Sequence, residues 1–371
     1  MAITKRYSMT IVSVLVILAS LYFIPCDALR RHHKHKINTI YQFGDSLSDT
    51  GNLIHEKPTE ANLPIAHYPY GETFFRKPTG RSCDGRLIID YLALALGLPL
   101  LNPYLAKNAS FKSGVNFAVS GATALNASVL SDNGLLEFYT NSSLDVQLEW
   151  FKSHLQSLAS KRLDNALFIV GEIGGNDYSF ASILGKTLKE ITELVPQVIL
   201  KTKEIVGKLI EQGATRVIVP GIFPIGCTPS DLTQSINNGD DKSAYDEYGC
   251  LIAGNKIADY HNVLLQQALA ELRATYLHAV ILYADYYTSF FNLIKNADRL
   301  GFEKVNVLKA CCGTGGAYNF DSLQFCGTEG IPFNVCSNPN VRVSWDGIHL
   351  TQKAYSLIAK SLIRDLFPKL M

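Results

Sequence analysis

Apolar residues follow two alternating rhythms along this chain. Short, β-branched and aromatic runs fall at residues 37–43, 115–118, 166–170, 216–220 and 279–283. Each is bounded by turn-forming Gly, Pro, Asn, Asp or Ser, so each predicts a strand. Between them, apolar residues recur at helical spacing over 85–96, 144–158, 188–211, 251–275 and 351–366. Pro196 predicts a bend in the third of these helices, and Gly213 follows its end as a C-terminal glycine should. Short apolar strands separated by amphipathic helices predict an α/β fold, a mostly parallel five-stranded sheet covered on both faces. Residues 222–249 and 309–342 predict long irregular segments. In such sheets ligands lie beyond the carboxyl ends of the strands, so these segments are candidates to wall a binding site.

The first residues change the picture of where the chain works. Lys5 and Arg6 precede a mostly apolar run over 11–24, and Cys26 and Ala28 stand three and one positions before a plausible cut. That run is short for a membrane span and predicts a cleaved signal peptide over 1–28. A single domain over 29–371 is then expected, with no repeat or Pro/Ser-rich linker to divide it. The expected protein is secreted, with no stable membrane insertion after cleavage.

The precursor carries net charge +1, and removing Lys5, Arg6 and Asp27 leaves it close to neutral. No basic field invites nucleic acid. His32, His33 and His35 resemble a metal-binding tract, but a solvated tail explains them without function. Losing Cys26 from eight cysteines leaves an odd number, so disulfides are expected with at least one thiol over. Cys311, Cys312, Cys326 and Cys336 cluster in a Gly-rich stretch and predict a stapled loop. No pairing of CxxC motifs points to zinc, and no metal or organic cofactor is expected. Asn108, Asn126 and Asn141 each open an acceptor sequon for glycosylation.

Candidate chemistry begins at Ser46, in the string FGDSLSDTGN just after the first strand. A serine after a strand is ordinary, because turns favour it. A nucleophilic serine needs a base, a group to orient the base, and donors for the oxyanion. Of nine histidines, His349 stands out: it closes Trp345-Asp346-Gly347-Ile348-His349 before the last helix, with Asp346 three residues earlier. A turn can fold that carboxylate against Nδ1 and leave Nε2 for the nucleophile. Gly121, after one strand, and Asn176, after another in Gly174-Gly175-Asn176-Asp177, are candidate oxyanion donors. Each piece alone is weak. No GxSxG elbow is present, and GTGGAYNF at Gly313 is not a GxGxxG fingerprint.

Taken in order, Gly44-Asp45-Ser46, Gly121, Gly174-Gly175-Asn176-Asp177 and Asp346-Gly347-Ile348-His349 resemble the four blocks of the SGNH hydrolase superfamily. The strings GVNFAVSGATAL, GEIGGNDY, VPGIFPIGC and WDGIHLT are similar to its GDSL esterase/lipase branch in plants. The resemblance covers nearly the whole mature chain. It implies a three-layer α/β/α, flavodoxin-like fold. It implies Ser46 as nucleophile, His349 as general base and acid, and Asp346 as its orienting acid. The oxyanion hole would be the Ser46 N–H, the Gly121 N–H and the Asn176 amide. Asp45 is expected only to shape the turn.

The implied reaction is hydrolysis of a carboxylic ester. The strings HYPYGETF and SCDGRLIIDYLA are similar to plant esterases of specialised metabolism, which implies a small acetyl ester such as that of an indole alkaloid. Acyl transfer by the same triad, hydrolysis of a polysaccharide or choline ester, and a binding role without turnover are the alternatives. The 18 Tyr, 18 Phe and 2 Trp fit an aromatic or cationic ligand and fit core packing equally well.

Overall fold

A computed structural model describes residues 36–57, 63–135, 139–158 and 163–370. Residues 1–28, expected to be a signal peptide, and the histidine tract at 32–35 lie outside the described residues. In chain order the main elements are β1 (Thr39–Phe43), α1 (Asn52–Glu56), α2 (Ile88–Ala95), β2 (Gly114–Asn116), α3 (Ala127–Asp132), α4 (Leu144–Ser157), β3 (Ala166–Val170), α5 (Gly175–Ile183) and α6 (Leu188–Glu211). They continue with β4 (Arg216–Pro220), α7 (Pro229–Asn238), α8 (Ile252–Thr275), β5 (Val280–Ala284), α9 (Tyr286–Lys295), α10 (Ala297–Leu300), β6 (Cys312–Gly313), β7 (Asn334–Val335) and α11 (Gln352–Leu370).

β1 to β5 form one sheet in the order β2-β1-β3-β4-β5, and every pairing in it is parallel. This is the flavodoxin-like order. The two faces follow from the period of two along each strand. Tyr41, Phe43, Phe168, Val170, Val217 and Val219 face a core shared with α4, α6 and α8. Ile40, Leu167, Ile169 and Ile218 face the other core, shared with α2, α9 and α11. Strands buried on both sides are mostly apolar, which is why they were plain in the sequence.

α6 begins with a capping box. The Thr187 hydroxyl accepts the Glu190 N–H while the Glu190 carboxylate accepts the Thr187 N–H. Such a cap stabilises a helix start by about 1 kcal/mol. The helix runs unbroken through Pro196 because its apolar stripe packs along α8. The segment 222–249, expected to be irregular, contains α7. Its signals are Thr228 as cap, accepting the Asp231 N–H, Pro229 at the first turn and left-handed Gly239 at the end. α5 and α9 are likewise additions to the expected elements.

Three disulfides form: Cys227–Cys250, Cys311–Cys336 and Cys312–Cys326. Cys83 is the remaining thiol among the described residues, and it is buried. The last two bridges staple 309–342 as expected. They also tie that loop to the site, because the Cys311 N–H donates to Ser344 O and the Cys312 N–H to Trp345 O, just before Asp346.

Candidate active site

The point where the strand order reverses, between β1 and β3, brings together segments distant in the chain. β1 ends at Phe43, and Gly44 turns the chain with φ +147. A Cβ on Gly44 would stand 2.8 Å from the Glu172 carbonyl oxygen, so only glycine fits. Gln147 of α4 clamps it: Gly44 N–H donates to Oε1 at 2.9 Å, and Nε2 donates to Gly44 O at 2.8 Å. Asp45 then closes a tight turn, its carboxylate accepting the Leu47 N–H and its carbonyl accepting those of Ser48 and Asp49. Ser46 rides on that turn.

Asp346 and His349 come from the loop before α11. Asp346 Oδ1 accepts the backbone N–H groups of Ile348 and His349 at 3.0 and 2.8 Å. The turn this makes sets Oδ2 2.7 Å from His349 Nδ1. On the other side of the ring, Nε2 lies 2.7 Å from Ser46 Oγ. An ionised carboxylate can only accept, so Nδ1 carries the hydrogen and Nε2 presents its lone pair to the serine hydroxyl. Burial works to raise the Asp346 carboxyl, but the neighbouring His349, its ring hydrogen bond and the two backbone donors outweigh it and hold the group below the usual range. That keeps Asp346 ionised. Such a line of contacts can take a proton from Ser46 as its oxygen attacks a carbonyl.

The expected donors converge on the same place. Gly121 has φ +83, and a Cβ there would meet Tyr139 Cβ at 2.6 Å. Among the described residues, neither the Ser46 N–H nor the Gly121 N–H has a protein acceptor. Asn176, in the first turn of α5, donates from Nδ2 to Ala122 O at 2.8 Å and lies 3.5 Å from Asp45 Oδ2. The bond to Ala122 fixes the amide, while its second N–H is held only by the long contact to Asp45.

Several residues that hold these pieces were not singled out by sequence reasoning. Asp49 is fully buried and accepts the N–H groups of Gly51, Asn52, Leu53 and Ser120, lashing the serine turn to the Gly121 loop. Asp177 accepts those of Ala124 and Leu125, joining the Gly121 loop to α5. Both sit in strings already quoted, but nothing in their spacing names their partners. Tyr70, from HYPYGETF, donates its hydroxyl to Asp346 Oδ2 at 2.8 Å.

These carboxyls give stability an unusual pH dependence. Burial pushes Asp45 and Asp177 up to about 7. Burial, with the Asp45 charge second, pushes Glu172 well up too. A carboxyl with a raised folded pKa binds its proton more tightly in the folded state. Its contribution is therefore present at low pH and lost as pH rises from the ordinary 3.8 through about 7. Asp346, held down, acts oppositely and is lost only below the ordinary carboxylate range. His261, pushed down to about 3 by burial, also loses its contribution as pH falls below the ordinary 6.5, but it is one group against the raised carboxyls. Thermal unfolding followed by circular dichroism should give a higher Tm near about pH 5 than near about pH 8. A Tm that climbs over that interval would contradict this balance.

An open surface hollow of about 670 Å³ is lined by Leu188, Lys189, Thr192, Glu193, Pro196 and Tyr260. Its lining holds no serine, cysteine or histidine and shares no residue with the constellation around Ser46, so it offers no rival to that site.

The family of GDSL-like lipases/acylhydrolases matches residues 40–362. Acetylajmalan esterase 1 of Rauvolfia serpentina is 47% identical over 339 residues, covering 90% of this chain and 87% of that protein. A GDSL esterase/lipase of Arabidopsis thaliana is 44% identical over 337 residues, covering 88% of this chain and 86% of its own. Among solved structures, phospholipase A1 from Streptomyces albidoflavus NA297 aligns over 89% of this chain and 99% of its own, at TM-score 0.38 and 13% identity. The chain belongs to the GDSL lipase/acylhydrolase family. Its activity is that of a carboxylic ester hydrolase.

Proposed function

We propose that this protein hydrolyses an acetyl ester of a small plant metabolite, of the indole-alkaloid kind, through an acyl-enzyme on Ser46. Ser46 Oγ attacks the ester carbonyl while His349 Nε2 takes its proton. The oxyanion is held by the N–H groups of Ser46 and Gly121 and by the Asn176 amide. His349 returns the proton to the departing alcohol. It then activates water, which releases the acid and frees Ser46. Asp346 holds the imidazole in the tautomer this needs. No metal or cofactor enters any step.

The observation that carries the mechanism is the unbroken line from Asp346 Oδ2 through His349 to Ser46 Oγ, with 2.7 Å at each contact. The substrate class rests on the likeness to acetylajmalan esterase 1. Three disulfides fit the oxidising secretory pathway, and secretion to the apoplast or vacuole goes with this reading. Among the described residues, no helix is long and apolar enough to cross a membrane. Asn108 and Asn141 are exposed, as glycosylation requires. Asn126 is half-buried, and its side-chain oxygen accepts the Ser143 hydroxyl.

Acetate release from p-nitrophenyl acetate and from an acetylated indole alkaloid tests the substrate. Turnover of both is expected. Turnover of the simple ester alone would keep the chemistry and discard the alkaloid. A parallel assay with an added alcohol acceptor reads acyl transfer, for which hydrolysis predicts no new ester.

A further inference from the structure

The least explained group at the site is a phenol. Asp346 Oδ2, the oxygen facing His349 Nδ1, takes a second hydrogen bond from Tyr70 at 2.8 Å. Tyr70 is 2% exposed, so water cannot replace this donor. Its ring meets Trp345 edge-on at 6.0 Å between centroids. Its other flank lies against Gly327, where a Cβ would stand 3.0 Å from the ring. Its backbone N–H donates to His67 O. The ring is therefore clamped by the chain that carries Asp346 and by the stapled loop next to Cys326.

A core tyrosine needs some partner for its hydroxyl, and packing alone would be served by any acceptor. Here the acceptor is the oxygen on which the histidine's tautomer depends. Resting on the triad reading above, the geometry points to Tyr70 as a positioning residue: its hydroxyl fixes the Asp346 carboxylate and limits the negative charge that carboxylate presents to His349. A carboxylate with fewer donors is more basic and holds an imidazolium more tightly. Loss of the Tyr70 bond should therefore raise the pH at which activity falls away on the acid side.

Other titratable groups face this pair. Asp45, beside Ser46, is pushed up to about 7 by burial, against the lowering pull of the Leu47 N–H and the His349 charge. Cys83 and Tyr355 of α11 feel Asp346, and burial raises both, so they stay neutral. Tyr139 faces Tyr70. Asp84 lies 3.4 Å from Cys83 Sγ and is raised by burial. Burial and Asp346 push Tyr70 itself well up, so it remains a donor throughout the working range. Asp45 would mark the activity profile of every variant alike, so the difference between variants isolates Tyr70.

The test is the pH dependence of kcat/KM for acetate release by the disulfide-bonded chain. It compares wild type, Tyr70→Phe, and 3-fluorotyrosine placed at position 70 alone. Tyr70→Phe should move the acid limb up by roughly half a unit. It should also lower plateau kcat about two- to tenfold, with KM little changed. The fluorinated ring keeps its volume but donates more strongly, so its acid limb should move down. Opposite shifts support the inference. Coincident acid limbs, even with a lower plateau, would make Tyr70 a packing residue and overturn it. Should Tyr70→Phe fail to fold, the fluorinated protein decides alone, and an unmoved limb overturns the inference. Ser46→Ala separates the two levels: activity that survives it sinks the triad, whereas activity that needs Ser46 but ignores position 70 sinks only the role of Tyr70.

Discussion

Ser46→Ala is expected to cut kcat for ester hydrolysis by roughly 10⁴–10⁶-fold while the protein stays folded. Ser46 is 8% exposed, and alanine fits its place with the loss of one hydroxyl. The turn beneath it is held by Gly44, Asp45 and Asp49, none of which bonds to Oγ. On the proposed mechanism, removing the hydroxyl removes the attacking atom and little else. The proposed oxyanion donors survive the change, so a residue of catalysis above water should remain. Steady-state release of acetate, with a thermal scan of the same sample, checks both halves.

The second large effect is expected at Asp346→Asn, with kcat falling by about 10⁴-fold. The reason lies in which atom goes where. Oδ1 receives two fixed backbone donors, from Ile348 and His349, so the amide oxygen of asparagine must take that place. The amide nitrogen then faces His349 Nδ1 and the Tyr70 hydroxyl, where two acceptor bonds were made before. It donates to Nδ1, the ring hydrogen moves to Nε2, and Nε2 can no longer take the Ser46 proton. Geometry is nearly kept while chemistry is lost. The measurement is kcat at the pH plateau, with KM expected to stay within a few-fold. An Asp346→Asn enzyme of near wild-type kcat would show that the carboxylate does not set the tautomer.

How much of this could be read from the residues differs by element. The strands were legible because most of their positions are buried and apolar, with Gln42 and Asn116 as buried polar exceptions. α5 was hidden because Gly-Gly-Asn-Asp is turn chemistry. Gly174 does turn, in the left-handed region at φ +112, but the chain after it continues as a helix. α9 was hidden by an aromatic-rich sequence without helical bias, and it forms under an Asp285 cap that accepts the Thr288 N–H. Ser46, Gly121, Asn176, Asp346 and His349 were legible as motif residues, and the fold brings them together. Asp49, Asp177 and Tyr70 were not, because their work is done across long stretches of chain: Tyr70 meets Asp346 at a separation of 276 residues. A single sequence holds the donor and the acceptor but not the knowledge that they meet. The cysteine pairing was closed to it for the same reason.

The central claim is that Ser46 is the acyl-accepting atom. The most direct measurement treats the wild-type protein with a serine-directed fluorophosphonate, then digests it and locates the added mass by tandem mass spectrometry. The account predicts a single adduct on the peptide carrying Ser46, appearing in step with loss of esterase activity and absent after prior unfolding. An adduct on another serine, or complete inactivation with Ser46 unmodified, would contradict it.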